Sequence, residues 1–278
     1  MTTTETPGPL EGNLMAGKRG LIMGVANHHS IAWGIAEQLA AQGAQLAFSY
    51  QGDILEKRVR PLAQSLGDAP IIPCDVSSDE SISACFSALQ KTWDTIDFVV
   101  HAIAFADKEE LKGRYADTSR ANFRTALEVS CYSFAAVSKY AQAMMPHGGA
   151  LLTLTYLGAE RVMPNYNVMG VAKAALEASV RYLAEDFGKV GVRVNALSAG
   201  PIKTLAASGI GDFRYILKWN QHNSPLRRNI TLADVGKAGM YLLSDLSSGV
   251  TGEIHHVDGG YHAIGMKAVD APDISTVL

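Results

Sequence analysis

The chain has 278 residues, 47% of them hydrophobic and 18% charged, with a formal net charge of -3. That length and composition suit a globular α/β protein with a substantial core and exclude a disordered chain. The charge excludes a broad basic face for nucleic acid, and no apolar run is long enough to cross a bilayer.

The opening "MTTTETPGPLEGN" lacks the basic start and apolar run of a signal peptide, and 1–16 is expected to be a floppy tail. "RGLIMGV" (19–25) reads as a buried strand and "SIAWGIAEQLAAQG" (30–43) as a helix with a Gly stop. A second strand (44–50), a polar helix (53–66) and a third strand (70–76) follow. Ser77 and Glu80 have capping-box spacing for a helix reaching Trp93, and "IDFVVHAIA" (96–104) is a fourth strand. A long helix (118–145), a fifth strand (149–155) and a helix from Tyr166 to Lys189 come next. A sixth strand (192–202), a helix (231–245) and a last strand (252–260) complete the series. The stretch 203–230 has no regular pattern, and a connection that long is often functional.

Apolar strands alternating with helices predict an α/β fold. The expectation is a single Rossmann-type doubly wound domain over 17–278, a seven-stranded parallel sheet with helices on both faces. Cys74, Cys85 and Cys131 are widely spaced and form no CxxC or Cys/His cluster. Neither a disulfide framework nor a metal site is indicated, and three thiols suit a reducing, cytoplasmic setting.

Gly24 lets the chain turn sharply after the first strand, and the helix from Ser30 would offer free N–H groups and a positive dipole end to a pyrophosphate. The spacing departs from GxGxxG: Gly24 and Gly34 stand further apart, with Ser30 and Ile31 between. An ordinary β–α turn is the competing reading. The second strand ends at Tyr50–Gln51, where a dinucleotide's adenosine ribose would lie. Gln51 and Asp53 supply no cation for a 2'-phosphate before Lys57, which favours NADH. Asp75 could accept from an adenine amino group or simply serve a turn.

Tyr166 and Lys173 are seven residues apart, nearly two helical turns, so they share a face. A lysine there can stabilise negative charge at a tyrosine oxygen and donate to ribose hydroxyls. A packing Tyr with a snorkelling Lys is the alternative.

The segments "GVANHHSIAWGIA", "CDV", "LLTLTYLGAERVMPNYNVMGVAKA", "VRVNALSAGPIKTLAASGI" and "HVDGG" resemble the short-chain dehydrogenase/reductase superfamily. The Tyr-x6-Lys spacing is similar to its divergent branch containing bacterial NADH-dependent enoyl-acyl carrier protein reductases. The resemblance runs from Lys18 to Gly260. It implies that Gly24, Ser30 and Ile31 hold the pyrophosphate side of NADH/NAD+, Gln51 lies near the adenosine ribose, and Asp75 with Val76 near adenine. Ile103 would line the cofactor site and Lys173 the nicotinamide ribose. Ile202, Lys203, Thr204, Leu205 and Ala206 would cover nicotinamide and pyrophosphate. Tyr156 and Tyr166 would be the active-site tyrosines, with Ala106, Met169, Ile210 and Phe213 toward the substrate. "LAASGI" (205–210) with Phe213 would form an apolar lid over the acyl tail, against the plainer reading of a surface helix.

The chain departs from the wider superfamily at His101-Ala102-Ile103-Ala104, at Thr153, thirteen residues before Tyr166 where a serine is usual, and at Ser130, where an Asn often supports a proton relay. These departures favour an enoyl reductase of fatty-acid synthesis over a carbonyl reductase. The presence of both Tyr166 and Lys173 disfavours a catalytically silent dinucleotide-binding regulator. Tyr156 could bond the acyl chain, help protonate the α-carbon or wall the pocket. An acidic acyl carrier protein would dock on Lys203, Arg214, Lys218, Arg227 and Arg228, against the plainer reading of ordinary solvated charges. The superfamily also implies a homotetramer.

Overall fold

The computed structural model describes residues 8–205 and 207–277. The strands are β1 (Arg19–Met23), β2 (Gln45–Tyr50), β3 (Ile71–Pro73), β4 (Phe98–His101), β5 (Gly149–Thr155), β6 (Val192–Ala199) and β7 (Ile254–Val257). They form one seven-stranded sheet in the order β3-β2-β1-β4-β5-β6-β7, with every pairing parallel. The order reverses between β1 and β4. The helices are α1 (Ile31–Ala41), α2 (Gly52–Ser65), α3 (Asp79–Gln90), α4 (Arg120–Leu127), α5 (Ser133–Ala143), α6 (Asn167–Gly188), α7 (Phe213–Asn223) and α8 (Leu232–Leu243).

Side chains alternate across each strand, so one strand feeds two cores. Leu21, Met23, Val99, Leu151 and Val194 pack with Phe86, Phe134, Val137, Leu176 and Val180 of α3, α5 and α6. Ile22, Phe98, Val100, Leu152 and Leu197 pack with Trp33, Ile35, Leu39, Val59 and Val235 of α1, α2 and α8. Two covered faces explain why the strands read as unbroken apolar runs. Helices α1 and α8 meet at glycines: a Cβ on Gly236 would lie 2.3 Å from the Gly34 carbonyl oxygen. Gly34 therefore serves helix packing and does not belong to the phosphate turn.

Several expectations need correction. Residues 10–16 are no floppy tail. Leu10 N–H donates to Gln38 Oε1 at 3.0 Å, Gly12 N–H to Ala41 O at 3.0 Å, and Met15 is fully buried. A sequence scan for apolar runs cannot see Gln38 on α1 and Gln42 just after it capturing an otherwise polar segment. Residues 1–7 lie outside the described residues. Ser78, not Ser77, caps α3, accepting from Ser81 N–H at 3.1 Å. Ser77 is taken by Asp75, to whose Oδ1 it donates through both N–H and Oγ. The long helix of 118–145 is two α-helices joined by a π turn at Glu128–Tyr132. The irregular stretch 203–230 contains α7, whose mixed polarity hid an apolar face carrying Ile216 and Leu217. Among the described residues no helix is long and apolar enough to cross a membrane, and no His/Cys/Asp/Glu group could hold a metal ion.

Candidate active site

Most of the candidate residues follow the carboxyl ends of strands: Gly24 after β1, Gln51 after β2, Asp75 just beyond β3, Ile103 after β4, Tyr156 after β5 and Ile202 after β6. In open parallel sheets the ligand crevice forms there, at the switch point between diverging strands. Gly24 lies at that switch point with φ +97, and a Cβ on it would sit 2.1 Å from Ala102 O. The loops after β1 and β4 can touch only because Gly24 has no side chain.

Ser30 ties its own loop together. Its hydroxyl oxygen accepts from Ala26 N–H at 3.0 Å and Asn27 N–H at 3.2 Å. The loop is thereby fixed ahead of α1, which begins at Ile31. Gln51 stands just before α2, and its amide helps hold the Asp75 carboxyl below its ordinary range, after the larger effect of Ser77. The two residues expected near adenosine are thus neighbours. Asp75 also does turn work through Ser77, and Val76 sends its side chain into the core. Ile103 packs at the edge of the first core.

On the other half, Tyr166 precedes α6 and Lys173 lies two turns on. Left-handed asparagines flank the tyrosine, Asn165 at φ 55 and Asn167 at φ 34. Their side chains hold the bend. Asn165 Nδ2 donates to Gly211 O at 3.1 Å, and Asn167 Nδ2 to Gly113 O at 3.3 Å. Tyr166 and Tyr156 meet edge to face with ring centroids 5.1 Å apart. Gly158 lies under Tyr166, where a Cβ would meet the ring at 2.4 Å. Both phenols are driven above their ordinary pKa by burial and stay neutral donors at physiological pH.

Lys173 is buried, and its Nζ donates to Leu154 O at 2.7 Å. Burial lowers its pKa to about 8, countered by Cys131 and Glu177. An ammonium has three donors, so one bond to Leu154 leaves two for a ligand. The snorkelling alternative fails, because the head group of Lys173 is inside the protein.

Tyr166 and Met169 are buried in one apolar cluster with Ala106, Tyr156, Met163 and Ile210 packed against it. A cleft of about 190 Å³ opens beside Tyr156, lined by Val162, Met163, Pro164, Tyr215, Ile216, Trp219, Asn220 and Tyr261. Phe213 is in neither the cluster nor the cleft lining. Tyr215 and Trp219 take that side, stacked 6.0 Å apart, with Trp219 Nε1 donating to Tyr261 Oη at 2.9 Å. Their four-residue spacing within "FRYILKWNQHN" was the available signal for a helix face over the pocket. A larger hollow, about 450 Å³, lies at the opposite end of the strands around Lys18, Asp97 and Arg193 and contains none of the candidate residues.

Of the covering segment, Ile202 packs at the edge of the second core, Lys203 and Leu205 are exposed, and Thr204 Oγ1 accepts from Ala207 N–H at 3.0 Å. Ala206 lies outside the described residues. Thr153 and Ser130, which stand where relay groups occur in carbonyl reductases, are both occupied. Thr153 Oγ1 is fully interior and donates to His101 O at 3.1 Å, and Ser130 Oγ bonds Phe105 N at 3.0 Å and Phe105 O at 3.2 Å. His101, also buried, is held neutral with its pKa near 3 by burial.

A doubly wound parallel sheet with a glycine cradle at its switch point and a buried Tyr/Lys pair beside it defines a dinucleotide-binding protein of the reductase type. Comparison with known proteins narrows this. A family model described as enoyl-(acyl carrier protein) reductase matches residues 24–262. An enoyl-[acyl-carrier-protein] reductase [NADH] of Rhizobium meliloti is 67% identical over 264 residues, 95% of this chain and 97% of that protein. The crystal structure of the Anaplasma phagocytophilum reductase in complex with NAD has a TM-score of 0.90 at 59% identity, covering 94% of this chain and 98% of that one. The Bacillus cereus reductase, solved with NADP+ and an indole naphthyridinone, has a TM-score of 0.90 at 53% identity over 91% of this chain and 100% of that one. The chain belongs to the enoyl-(acyl carrier protein) reductase family.

Proposed function

We propose that this chain reduces the 2,3-double bond of trans-2-enoyl thioesters carried on acyl carrier protein, using NADH. The observation that carries this is the neutral, buried Tyr166 in an apolar cluster beside the cleft, with no serine or asparagine relay behind it. The residues fit the cofactor. Gly24 lets two backbones close around the switch point, the loop held by Ser30 leads into the N-terminus of α1, and Lys173 retains two donors.

When bound, NADH would supply a hydride to the β-carbon of the thioester and become NAD+. Negative charge would collect on the thioester oxygen until a proton from solvent reached the α-carbon. Tyr166 O–H, a buried neutral donor, would stabilise it. Tyr156 packs edge-on against Tyr166 and fixes its ring. Lys173 holds the ribose and adds positive charge nearby. Carbonyl reduction would need rapid delivery of a proton to an alkoxide, and the interior bonding of Thr153 and Ser130 leaves no such path.

The test is oxidation of NADH with a crotonyl thioester and none with simple ketones. The same assay with both cofactors gives a kcat/KM for NADH about tenfold or more above that for NADPH. Glu56, on α2, bonds Tyr50 at the end of β2 and is paired with Arg60, so that arginine is held by a carboxylate. A 2'-phosphate would meet Asp53 and Glu56 before any free cation. Equal values would mean the ribose pocket binds otherwise.

Delivery of the substrate is expected at α7. Arg227 is paired with Asp270 at 2.8 Å and Arg228 with Asp234 at 2.6 Å. Among the described residues Lys203, Arg214 and Lys218 make no ion pair, which leaves them for an acidic carrier. Arg214→Glu with Lys218→Glu lowers kcat/KM for carrier-bound substrate severalfold at low salt, because steering acts on association. A small thioester is reduced at the parental rate. Equal losses with both substrates would assign these residues to the lid instead.

Exposed Phe123, Tyr132, Val171 and Tyr182 on the segments of α4 to α6 favour association of copies through these helices, in keeping with a homotetramer. Three free cysteines and no membrane-length helix among the described residues suit a cytoplasmic enzyme.

A further inference from the structure

Glu177 takes no part in the chemistry above, yet the residue is only 7% exposed. It lies one helical turn after Lys173 on α6, so the two side chains leave the same face. Both reach the end of β5. Lys173 Nζ donates to Leu154 O at 2.7 Å, and Thr155 Oγ1 donates to Glu177 Oε1 at 2.6 Å. Leu154 and Thr155 are the last two residues of that strand, and the next is Tyr156. Opposite charges thus grip consecutive residues immediately before an active-site tyrosine.

A glutamine could accept the same bond from Thr155 without burying a charge. Burying a carboxylate costs free energy unless a counter-charge offsets it. The groups that face Lys173 are His101 from β4, Cys131 from the π turn and Glu177 from its own helix. His101 is neutral, and Cys131 Sγ contacts Ser179 Oγ at 3.4 Å. Glu177 is the one carboxylate in this set. Glu177 itself faces Thr155 of β5, Glu160 beyond it, His256 of β7 and Arg181 of α6, and its charge also acts on Tyr166 ahead of α6. Burial raises its pKa, and the Thr155 hydroxyl pulls it back.

We propose that Glu177 is a positioning residue of the reductase: its charge keeps Lys173 in the ammonium form, and its bond to Thr155 sets the strand end that carries Tyr156. This rests on the ribose-binding role given to Lys173 above. Burial pushes the Lys173 pKa down to about 8; Cys131 and then the Glu177 charge raise it, and Glu177 is the carboxylate of the two. Removing that charge must therefore lower the pH at which the ammonium is lost.

Two variants separate charge from bond. Glu177→Gln keeps an acceptor for Thr155 and removes the charge. Glu177→Asp keeps the charge and draws it back from Thr155. The measurement is the NADH dissociation constant by cofactor fluorescence from about pH 6 to 9, with folding checked by thermal melting. In the parental protein binding weakens as pH rises through about 8. In Glu177→Gln that midpoint falls by roughly one pH unit, and binding is severalfold weaker near pH 7.5 but restored near pH 6. Glu177→Asp keeps the parental midpoint. A Glu177→Gln profile with the parental midpoint, or one weakened equally at every pH, overturns the proposal. A flat parental profile overturns it too, while reduction of crotonyl thioester by the same preparation leaves the reaction assignment standing.

Discussion

Tyr166→Phe is expected to lower kcat by about 10²–10³, a barrier increase of roughly 2.7–4 kcal/mol, the usual cost of losing one preorganised oxyanion donor. NADH affinity stays at the parental value, because Lys173 and the glycine cradle are untouched. The fold also survives the change. The Tyr166 ring packs against Tyr156 and over Gly158, and a phenyl group keeps those contacts. Its hydroxyl has no hydrogen-bond partner among the described residues, so deleting it orphans nothing in the protein. The loss is therefore confined to the step in which charge develops on substrate oxygen. Steady-state kinetics with a crotonyl thioester, beside an NADH titration, give the answer. Parental kcat in the variant would move the donor role to Tyr156, and Tyr156→Phe would then carry the loss.

Gly24→Ala is expected to cause the largest structural damage of any single methyl group added near the site. Two costs add. At φ +97 an alanine is strained by about 1 kcal/mol or more. Its Cβ would also stand 2.1 Å from the Ala102 carbonyl oxygen and 2.6 Å from the carbonyl carbon, and backbone on both sides must move. Overpacking of this kind adds about 1–3 kcal/mol. With roughly 2–4 °C lost per kcal/mol in a chain of this size, the apparent Tm falls by about 5–15 °C. NADH binding falls with it, because the loops displaced are those that form the cradle. Gly52→Ala is the control. Gly52 has φ +71 but no neighbour within 4 Å, so only the conformational cost applies. Matching melting curves and NADH affinities for the two variants would show that the closeness of the β1 and β4 loops is immaterial.

The strands and the Tyr166/Lys173 pair were legible in the sequence because each depends on local periodicity. Apolar runs two faces deep announce a buried parallel sheet, and a seven-residue interval on a helix places two side chains on one side whatever surrounds them. Features set by contacts between distant segments were not legible. Gly34 looked like part of a phosphate loop, and only the approach of α8 shows its packing role. Nothing in the sequence singled out Glu177, and only β5 places the Thr155 hydroxyl against it. Phe213 was expected, with "LAASGI", to form the lid over the acyl tail. Once α7 is seen as a helix, Tyr215 and Trp219 line the cleft and Phe213 does not. Thr153 and Ser130 were visible as departures from a pattern. What makes them chemically silent, their bonds to His101 and Phe105, belongs to the folded state alone.

The π turn at Glu128–Tyr132 gives this stretch a sensitivity to length that its composition does not show. A π turn holds one residue more than an α turn, so α4 is set about 100° out of phase with α5 compared with a continuous α-helix. Ser130, in the widened turn, is the residue that bonds both backbone groups of Phe105. Loss of one codon there would heal the helix into regular α form. It would also swing Asn122 away from Asp107 N–H and Ala126 out of the cluster around Tyr166. Substitutions along this segment can be absorbed one side chain at a time, whereas an in-frame deletion of a single codon rotates α4 as a whole against the cluster around Tyr166. Across descendants of such a gene, the residue count between Ser119 and Ala143 is therefore expected to vary less than most of the letters within it.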